Sequence, residues 1–388
     1  MTVETFREEI RDWLNENFTD EIKRAAEGSD ARQQGFRLLA EQGWIAPDWP
    51  RRYGGCDLGF HEHIALVQEL RAAGVTMPPD NGDQGLRMIG PTLLEFGTEE
   101  QKMRHLPGIA RGEVQWCQGY SEPGSGSDLA SLATKAVRDG DHYLVNGQKI
   151  WTSGANAADW IYVLVRTDPD APKHEGISLV LVDMDQSGVT VRPIRLISGS
   201  SPFCETFFDD AIATDLIGQL NRGWTIGKRL LQHERSGISG MGASGATARQ
   251  TGPEIYHLAE LAKRYLGETE GGRIADHDYR NEVIRHRIAQ RSLQLTLSRT
   301  REENASGVTL GFETSMFKAL GADQSKRETA LRVEIMGFAG TGWEGDGFQP
   351  AELEATRMWL GSHASSIAGG TNEVQLNIIA KRVLGLPD

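Results

Sequence analysis

The stretch His142-Tyr-Leu-Val-Asn-Gly-Gln-Lys-Ile-Trp151 marks the point where the sequence changes from a helical to a strand-like pattern. Two short runs flank the pair Asn146-Gly147. Asn-Gly favours a type I′ turn, because both central positions of that turn need positive φ. The stretch therefore predicts a β-hairpin that turns at Asn146-Gly147.

Further strand-like runs follow this stretch. Residues 160–165 and 177–182 are short, β-branched and aromatic, and too short for buried helices. Residues 189–197 and 205–208 continue the pattern. We expect residues 116–220 to form a middle β-domain.

Helical spacing dominates on both sides of these runs. Apolar residues recur with the 3.6-residue period before residue 115 and again after residue 224. They include Phe6, Ile10, Leu14, Leu66, Leu70, Leu258, Leu261, Val374, Ile378 and Val383. The order helices, strands, helices argues against a doubly wound sheet, in which strands and helices alternate. The sequence predicts an α+β multidomain protein with an N-terminal helical domain at 1–115, a middle β-barrel-like domain at 116–220 and a C-terminal four-helix bundle at 221–388.

Composition excludes several functional classes. The 388 residues include 54 Asp plus Glu against 41 Lys plus Arg, a net charge of −13. Such a chain binds nucleic acid or anionic membranes poorly. No apolar run approaches the roughly 18 residues of a membrane span, and the start carries no signal-peptide core. The three cysteines are far apart, which argues against a disulfide framework and for a reducing cytoplasm.

Two motifs that suggest ligands are weak. Gly240-Met-Gly-Ala-Ser-Gly245 matches a dinucleotide fingerprint, but the residues before it look helical, whereas the fingerprint follows a strand. Close packing of helices explains these small residues better. His61-Glu-His63 and Asp276-His-Asp278 place adjacent side chains on different helix faces, so neither predicts a metal site.

The segment with the clearest chemical character is Trp116-Cys-Gln-Gly-Tyr-Ser-Glu-Pro-Gly-Ser-Gly-Ser-Asp128. Its glycines expose backbone N–H groups, and its serines add short donors suited to an anion or a polar ring. Gln148-Lys-Ile-Trp-Thr-Ser-Gly154 follows, with a tryptophan that can stack on a flat ring beside two hydroxyls.

Together these motifs resemble the acyl-CoA dehydrogenase family, and the resemblance spans nearly the whole chain. Further matching segments occur before and after the two motifs. They are Gln42-Gly-Trp-Ile45, Trp49-Pro-Arg-Arg-Tyr-Gly-Gly55, Phe96-Gly-Thr-Glu-Glu-Gln-Lys102 and Gly369-Gly-Thr-Asn-Glu-Val-Gln375.

The resemblance implies an oxidoreductase of lipid metabolism and β-oxidation that holds FAD noncovalently between the β-domain and the C-terminal helices. Carried over by position, the implied FAD-binding residues are Gln118, Gly119, Ser121, Trp151, Thr152, Ser153, Thr371 and Glu373. Ser127 would face the acyl-CoA. Thr371 is also a good N-cap for a helix at 372–384, whose N-terminus would suit the cofactor's phosphates.

The family's reaction needs a carboxylate base to remove a proton beside the thioester carbonyl. Many members place this Glu just before the final Gly-Thr, where this chain has Gly369. Other members carry it on an earlier helix, at the position of Glu234. We therefore predict Glu234 as the base and Arg235 as a contact of the CoA arm. A surface pair is the alternative, and His233 is a weaker candidate.

Partners follow from the resemblance as well. The implied reaction is dehydrogenation of an acyl-CoA to the trans-2-enoyl-CoA, with electrons passed to an electron-transferring flavoprotein. The resemblance implies a homo- or hetero-tetramer. In a family segment that reaches a neighbouring subunit's FAD, Lys263 keeps the positive charge but Leu266 replaces the usual Phe, so this chain is expected to donate poorly to a neighbour's cofactor, as in a heteromer. A non-catalytic subunit of a heteromer and a flavin oxidase or desulfinase are the alternatives, since fold does not fix chemistry.

Overall fold

The structure is a computed structural model that describes residues 2–25, 29–75, 84–238, 257–305 and 314–387; the side chains of 232–238, 301, 302, 304 and 305 lie outside the description. The chain divides into two compact units. The first holds residues 1–194 and 201–234, and the second holds residues 195–200 and 235–388. This division does not test the predicted domain boundaries, which stay predictions.

The first unit begins with helices. They are α1 (Val3–Asn17), α2 (Asp20–Lys23), α3 (Asp30–Glu41), α4 (Phe60–Ala72), α5 (Gly90–Phe96) and α6 (Glu99–Ala110), and α7 (Gly223–Ile238) follows the strands. The Thr2 hydroxyl accepts the Thr5 amide and caps α1. Phe6, Ile10 and Leu14 then fall on one buried face, as the sequence predicts.

The strands of the first unit pair in a closed circuit. They are β1 (Trp116–Gly119), β2 (Lys135–Asp139), β3 (His142–Ser153), β4 (Trp160–Arg166), β5 (Ile177–Asp183), β6 (Val189–Ile194) and β7 (Phe203–Ile217). Strand β5 pairs with both β4 and β7, β7 with β3, β3 with β2, and β2 with β4. Strand β1 pairs with β4 in parallel, and β6 pairs with β7 in antiparallel orientation.

The predicted hairpin turn at Asn146-Gly147 is wrong, because β3 runs unbroken through this pair. The turn lies at Gly140-Asp141, where Asp139 pairs with His142 and Gly140 has φ +63°. Gly-Asp is also a hairpin pair. At Gly147 the chain instead forms an irregularity in the pairing with β7, and a Cβ there would lie 2.7 Å from Thr134 Oγ1. The glycine serves a close strand approach rather than a turn.

The strands of the first unit contribute to two apolar cores. The first core is enclosed by the strands and includes Cys117, Val145, Val163, Val180 and Cys204. The other packs the opposite face of β4 and β5 against α5, α6 and α7, where it includes Leu93, Leu106 and Leu230. Because both faces of β4 and β5 are buried, successive residues of these strands are apolar and do not alternate between apolar and polar.

The described residues of the second unit are mainly helical. Its helices are α8 (Leu258–Leu266), α9 (His277–Ala305), α10 (Thr314–Met336), α11 (Pro350–Ser362) and α12 (Asn372–Ile378). Helix α10 packs against each of the other four. Residues 195–200 join this unit, where Gly199 lies close to the Trp343 indole. None of the described helices has both the length and the apolar composition of a bilayer span.

Candidate functional site

The two motifs that the sequence singles out are joined by a backbone hydrogen bond. We call residues 120–128 the serine-glycine loop; it follows β1 directly. The Ile150 amide on β3 donates to Ser121 O at 2.8 Å. This bond brings Ser121, which follows β1 closely, beside Ile150, the residue before Trp151 on β3.

A buried ion pair anchors the serine-glycine loop to β3. Lys149 is fully buried, and its Nζ lies 2.8 Å from Glu122 Oε1 and 3.0 Å from Tyr120 O. The Glu122 carboxylate also accepts the amides of Ala133 at 2.7 Å and Thr134 at 2.9 Å. Burial alone would raise the pKa of Glu122, but Lys149 and these donors hold it below its ordinary value.

Glu122 and Lys149 lie within the two sequence motifs, but neither has a role that the sequence alone predicts. Lysine in a strand is ordinarily solvent-facing, and strand alternation is the signal that predicts which residues face inward. That signal is unreliable here because a bulge shifts the register between Lys149 and Thr152. Only the folded pairing identifies Lys149 as a core residue.

Trp151 occupies a backbone conformation that a large side chain rarely adopts. Its φ is +63°, and it lies within the bulge of β3 against β7. The ring is 53% exposed and makes an edge contact with Phe203 at 6.2 Å between centroids. Strained residues of this kind cluster at ligand sites, and a bulge re-aims a side chain. The fold therefore presents the indole outward at a backbone cost.

Polar atoms near Trp151 lack protein partners. Among the described residues, neither Gln118 Nε2 nor Thr152 Oγ1 has a hydrogen-bond partner, although both atoms are buried. Buried unsatisfied groups of this kind point to a missing ligand or water. A Cβ added at Gly124, Gly126 or Gly154 meets open space, so the loop surfaces leave room for a ligand. Ser153 is half-buried beside them.

The far end of the serine-glycine loop is exposed. Ser127 is exposed, and its neighbour Asp128 accepts hydrogen bonds from Lys173 and from Ser131. The Lys173 ammonium, followed by the Ser131 hydroxyl, lowers the pKa of Asp128. Ser127 is therefore accessible to a substrate, and its neighbour's charge is already partnered.

The second unit carries the Gly369–Gln375 motif at the start of α12. The Thr371 hydroxyl accepts the Val374 amide at 3.3 Å, which confirms the predicted N-cap. Glu373 is exposed, and its own amide, then the Thr371 hydroxyl, lower its pKa. Buried Lys318 on α10 reaches Asn372 Oδ1 at 3.3 Å, a cation that sequence reasoning missed because α10 gives no local motif.

The residue at the common position of the base has a backbone reason for being glycine. Gly369 has φ +65°, and Gly370 has φ +91°. Non-glycine residues rarely adopt these values. Gln375, almost fully buried, donates from Nε2 to Gly369 O at 3.0 Å and holds this turn closed.

The predicted base lies on α7, a helix, which supports the helical interpretation up to residue 238 over a dinucleotide-binding strand. The side chains of Glu234, Arg235 and His233 lie outside the described residues, as does the Gly240–Gly245 segment, so these predictions are untested. Within the described ranges, no three potential metal-ligating acidic, His or Cys side chains gather. Lys263 is paired with Glu260 at 3.3 Å and Glu268 at 3.2 Å.

Comparison with known families covers the chain in three parts. The acyl-CoA dehydrogenase N-terminal domain matches residues 2–113, the middle domain matches 117–211, and the C-terminal domain matches 221–384. The chain belongs to the acyl-CoA dehydrogenase family. Members of this oxidoreductase family are flavoproteins.

Individual relatives agree with this assignment over the full length. Acyl-CoA dehydrogenase IpdE1 of Mycobacterium tuberculosis is 37% identical over 99% of this chain and 98% of its own length. The Tcur3481-Tcur3483 steroid ACAD has TM-score 0.76 at 29% identity, covering 99% and 97% of the two chains. The ChsE4-ChsE5 complex from M. tuberculosis has TM-score 0.74 at 28% identity, covering 100% and 98%.

Proposed function

We propose that this acyl-CoA dehydrogenase binds FAD and converts an acyl-CoA thioester to its trans-2-enoyl-CoA, passing electrons to an electron-transferring flavoprotein. The observation that carries the proposal is Trp151: a strained, half-exposed indole beside buried polar atoms that lack partners. When bound, FAD would supply the acceptor for the hydride, and so for the two electrons, that leave the substrate.

The residues of the first unit fit the isoalloxazine ring. The Trp151 indole offers a stacking face, and Gln118 Nε2 and Thr152 Oγ1 offer unused polar atoms to the ring edge. Ser121 and Ser153 add backbone and hydroxyl donors. A Cβ at Gly119 would lie 3.0 Å from Ile161 and 3.2 Å from Val163, so glycine suits the close packing at this position.

The residues of the second unit fit the polar half of FAD. Thr371 begins α12, and Lys318 places a cation beside Asn372 in its first turn. This combination favours phosphate oxygens. Glu373 is a carboxylate, which repels phosphate but accepts hydrogen bonds from ribose hydroxyls, so we assign it to the ribose.

Replacing Thr371 with Ala tests this assignment. Loss of the cap should lower the free energy of unfolding by about 1 kcal/mol and weaken FAD binding several-fold, whereas Thr371→Ser keeps both. Thermal unfolding and FAD fluorescence titration measure the two effects. Thr98→Ala is the matched control, because Thr98 caps α6 in the same way. Equal FAD loss in the Thr98 variant would reduce the Thr371 effect to helix capping.

The chemistry assigned to the chain itself is proton removal. Glu234 is proposed to take the proton from the carbon beside the thioester carbonyl, and Arg235 to pair with the phosphates of CoA. Ser127, exposed on the serine-glycine loop, is proposed to lie along the acyl-CoA. Shielding from water by bound substrate would bring the pKa of the base toward the working pH.

A flavin-reduction screen tests the proposed function. The purified protein, together with any subunit that co-purifies with it, should show flavin absorbance, and a matching acyl-CoA should bleach it anaerobically within seconds. The thioesters should include short, branched, aromatic and steroid acyl groups. Reoxidation should require an electron-transferring flavoprotein rather than oxygen. Absence of bound flavin after purification with added FAD would refute the proposal, and rapid hydrogen peroxide formation would favour an oxidase.

The comparisons favour one specific substrate class and assembly. Two structural relatives are a steroid ACAD and a two-protein complex. We therefore propose a bulky, steroid-like acyl-CoA and a hetero-tetramer, with Lys263 held by its own acidic neighbours rather than offered to another subunit. A homo-tetramer with one FAD per chain and full activity, measured by light scattering and absorbance, would contradict the heteromer.

A further inference from the structure

Lys149 is an energetically costly side-chain placement in the first unit. A buried ammonium loses its hydration, and a single ion pair only partly offsets that loss. Lys149 is 0% exposed, and its polar contacts are Glu122 Oε1 at 2.8 Å and Tyr120 O at 3.0 Å. Because a hydrophobic residue of similar length would fill the same space without charge, stability alone does not account for the lysine.

The second contact of Lys149 leads directly into the serine-glycine loop. The ammonium donates to Tyr120 O, which belongs to the same peptide group as the Ser121 amide. The Ser121 carbonyl is occupied by the Ile150 amide. Within the described part of the chain, the Ser121 N–H donates to no acceptor. A cation on the oxygen of a peptide strengthens the N–H of that peptide as a donor.

We propose that Lys149 is a positioning residue that polarises the Tyr120–Ser121 peptide, so that the Ser121 amide binds a flavin ring more tightly in its reduced than in its oxidised state. This inference rests on the proposed function, which places Ser121 at the ring. Reduction adds negative charge to the ring, and a strengthened N–H donor favours the more negative form.

The charges around Lys149 determine the pH range in which it carries a proton. Glu122 on the loop favours the charged amine, whereas Arg166 on β4 disfavours it. Thr206, which pairs with Lys149 from β7, is neutral. Cys204, also on β7, is a buried thiol whose pKa burial raises. Burial lowers the pKa of Lys149 to about 8, and Glu122 opposes that shift. The amine is therefore charged at pH 6.5 and largely neutral at pH 9.5.

The test compares the holoenzyme with Lys149→Met, which keeps the unbranched stem and removes the charge. Titration of FAD and dye-equilibrated potentials give the ratio of reduced to oxidised affinity. At pH 6.5 this ratio should be about tenfold lower in the variant than in the native enzyme. A tenfold change corresponds to a shift of about 30 mV in the reduction potential of a two-electron couple. At pH 9.5 the difference should shrink below about twofold, because the native lysine has lost its proton.

Two further variants keep the test decisive. Lys149→Gln supplies the same comparison if the Met variant does not fold, because its amide can still donate to Tyr120 O without charge. Lys173→Met removes the exposed cation paired with Asp128 on the same loop and should leave the ratio unchanged. No loss at pH 6.5, or an equal loss in the Lys173 variant, overturns the inference alone. A wild-type chain that binds no FAD overturns the proposed function as well.

Discussion

Replacing Glu234 with Gln is expected to lower kcat for acyl-CoA dehydrogenation by about 10³-fold while FAD stays bound. Gln keeps the shape of Glu but cannot accept the substrate proton, and a positioned base contributes about 10² to 10⁴ in rate. Stopped-flow bleaching of the flavin by a reactive thioester measures this step directly. Substrate affinity should change little, because the carboxylate acts on the transition state rather than on the bound thioester.

His233→Gln is the matched control for this prediction. It changes the adjacent position of α7, and adjacent positions of an α-helix are about 100° apart around the axis. Its rate should stay within about threefold of the wild-type rate. Near-normal bleaching in the Glu234 variant would remove Glu234 from the mechanism, and a large loss in the His233 variant alone would make the histidine the base. The glycine turn at Gly369 does not offer a simple second site, because its φ of +65° disfavours a side chain.

Replacing Trp151 with Gly is expected to weaken FAD binding by about 10- to 100-fold, since ring stacking contributes about 1–3 kcal/mol. Stability without FAD should change by less than about 1 kcal/mol. Glycine relieves the cost of φ +63°, and the 53% exposed indole makes little contact to lose. A tryptophan buried in a core would instead cost about 3–5 kcal/mol. Urea unfolding of the FAD-free chain and FAD titration measure the two quantities.

Trp151→Phe is the matched variant, because it keeps an aromatic face and the strained backbone. This variant should retain most of the FAD affinity, and its backbone should keep the strain of a positive φ at residue 151. A Gly variant that unfolds, or one that binds FAD as tightly as the native chain, would contradict the assignment of Trp151 to the cofactor. The two outcomes differ in meaning: the first makes the indole structural, and the second leaves it without an assigned role.

These predictions depend on features that the sequence alone reveals to different degrees. The motif around Trp151 indicated a stacking residue, but its strain and outward aim come from the bulge between β3 and β7. The Thr371 cap was predictable because capping depends on residues three positions apart. The buried partners of the loop, Glu122 and Lys149, were not predictable, because they are 27 residues apart and meet only when β3 pairs correctly.

The sequence by itself determined the order of helices and strands, the family, and the segments that carry its chemistry, because periodicity and local motifs depend on near neighbours. It misplaced the hairpin turn, since Asn146-Gly147 has the same local signature whether it forms a turn or an irregularity in a strand. Only the tertiary structure decided between a turn and a strand irregularity at this pair, through the close approach of Thr134 to Gly147. It likewise decided which lysine is buried, because strand register sets which residues face the core.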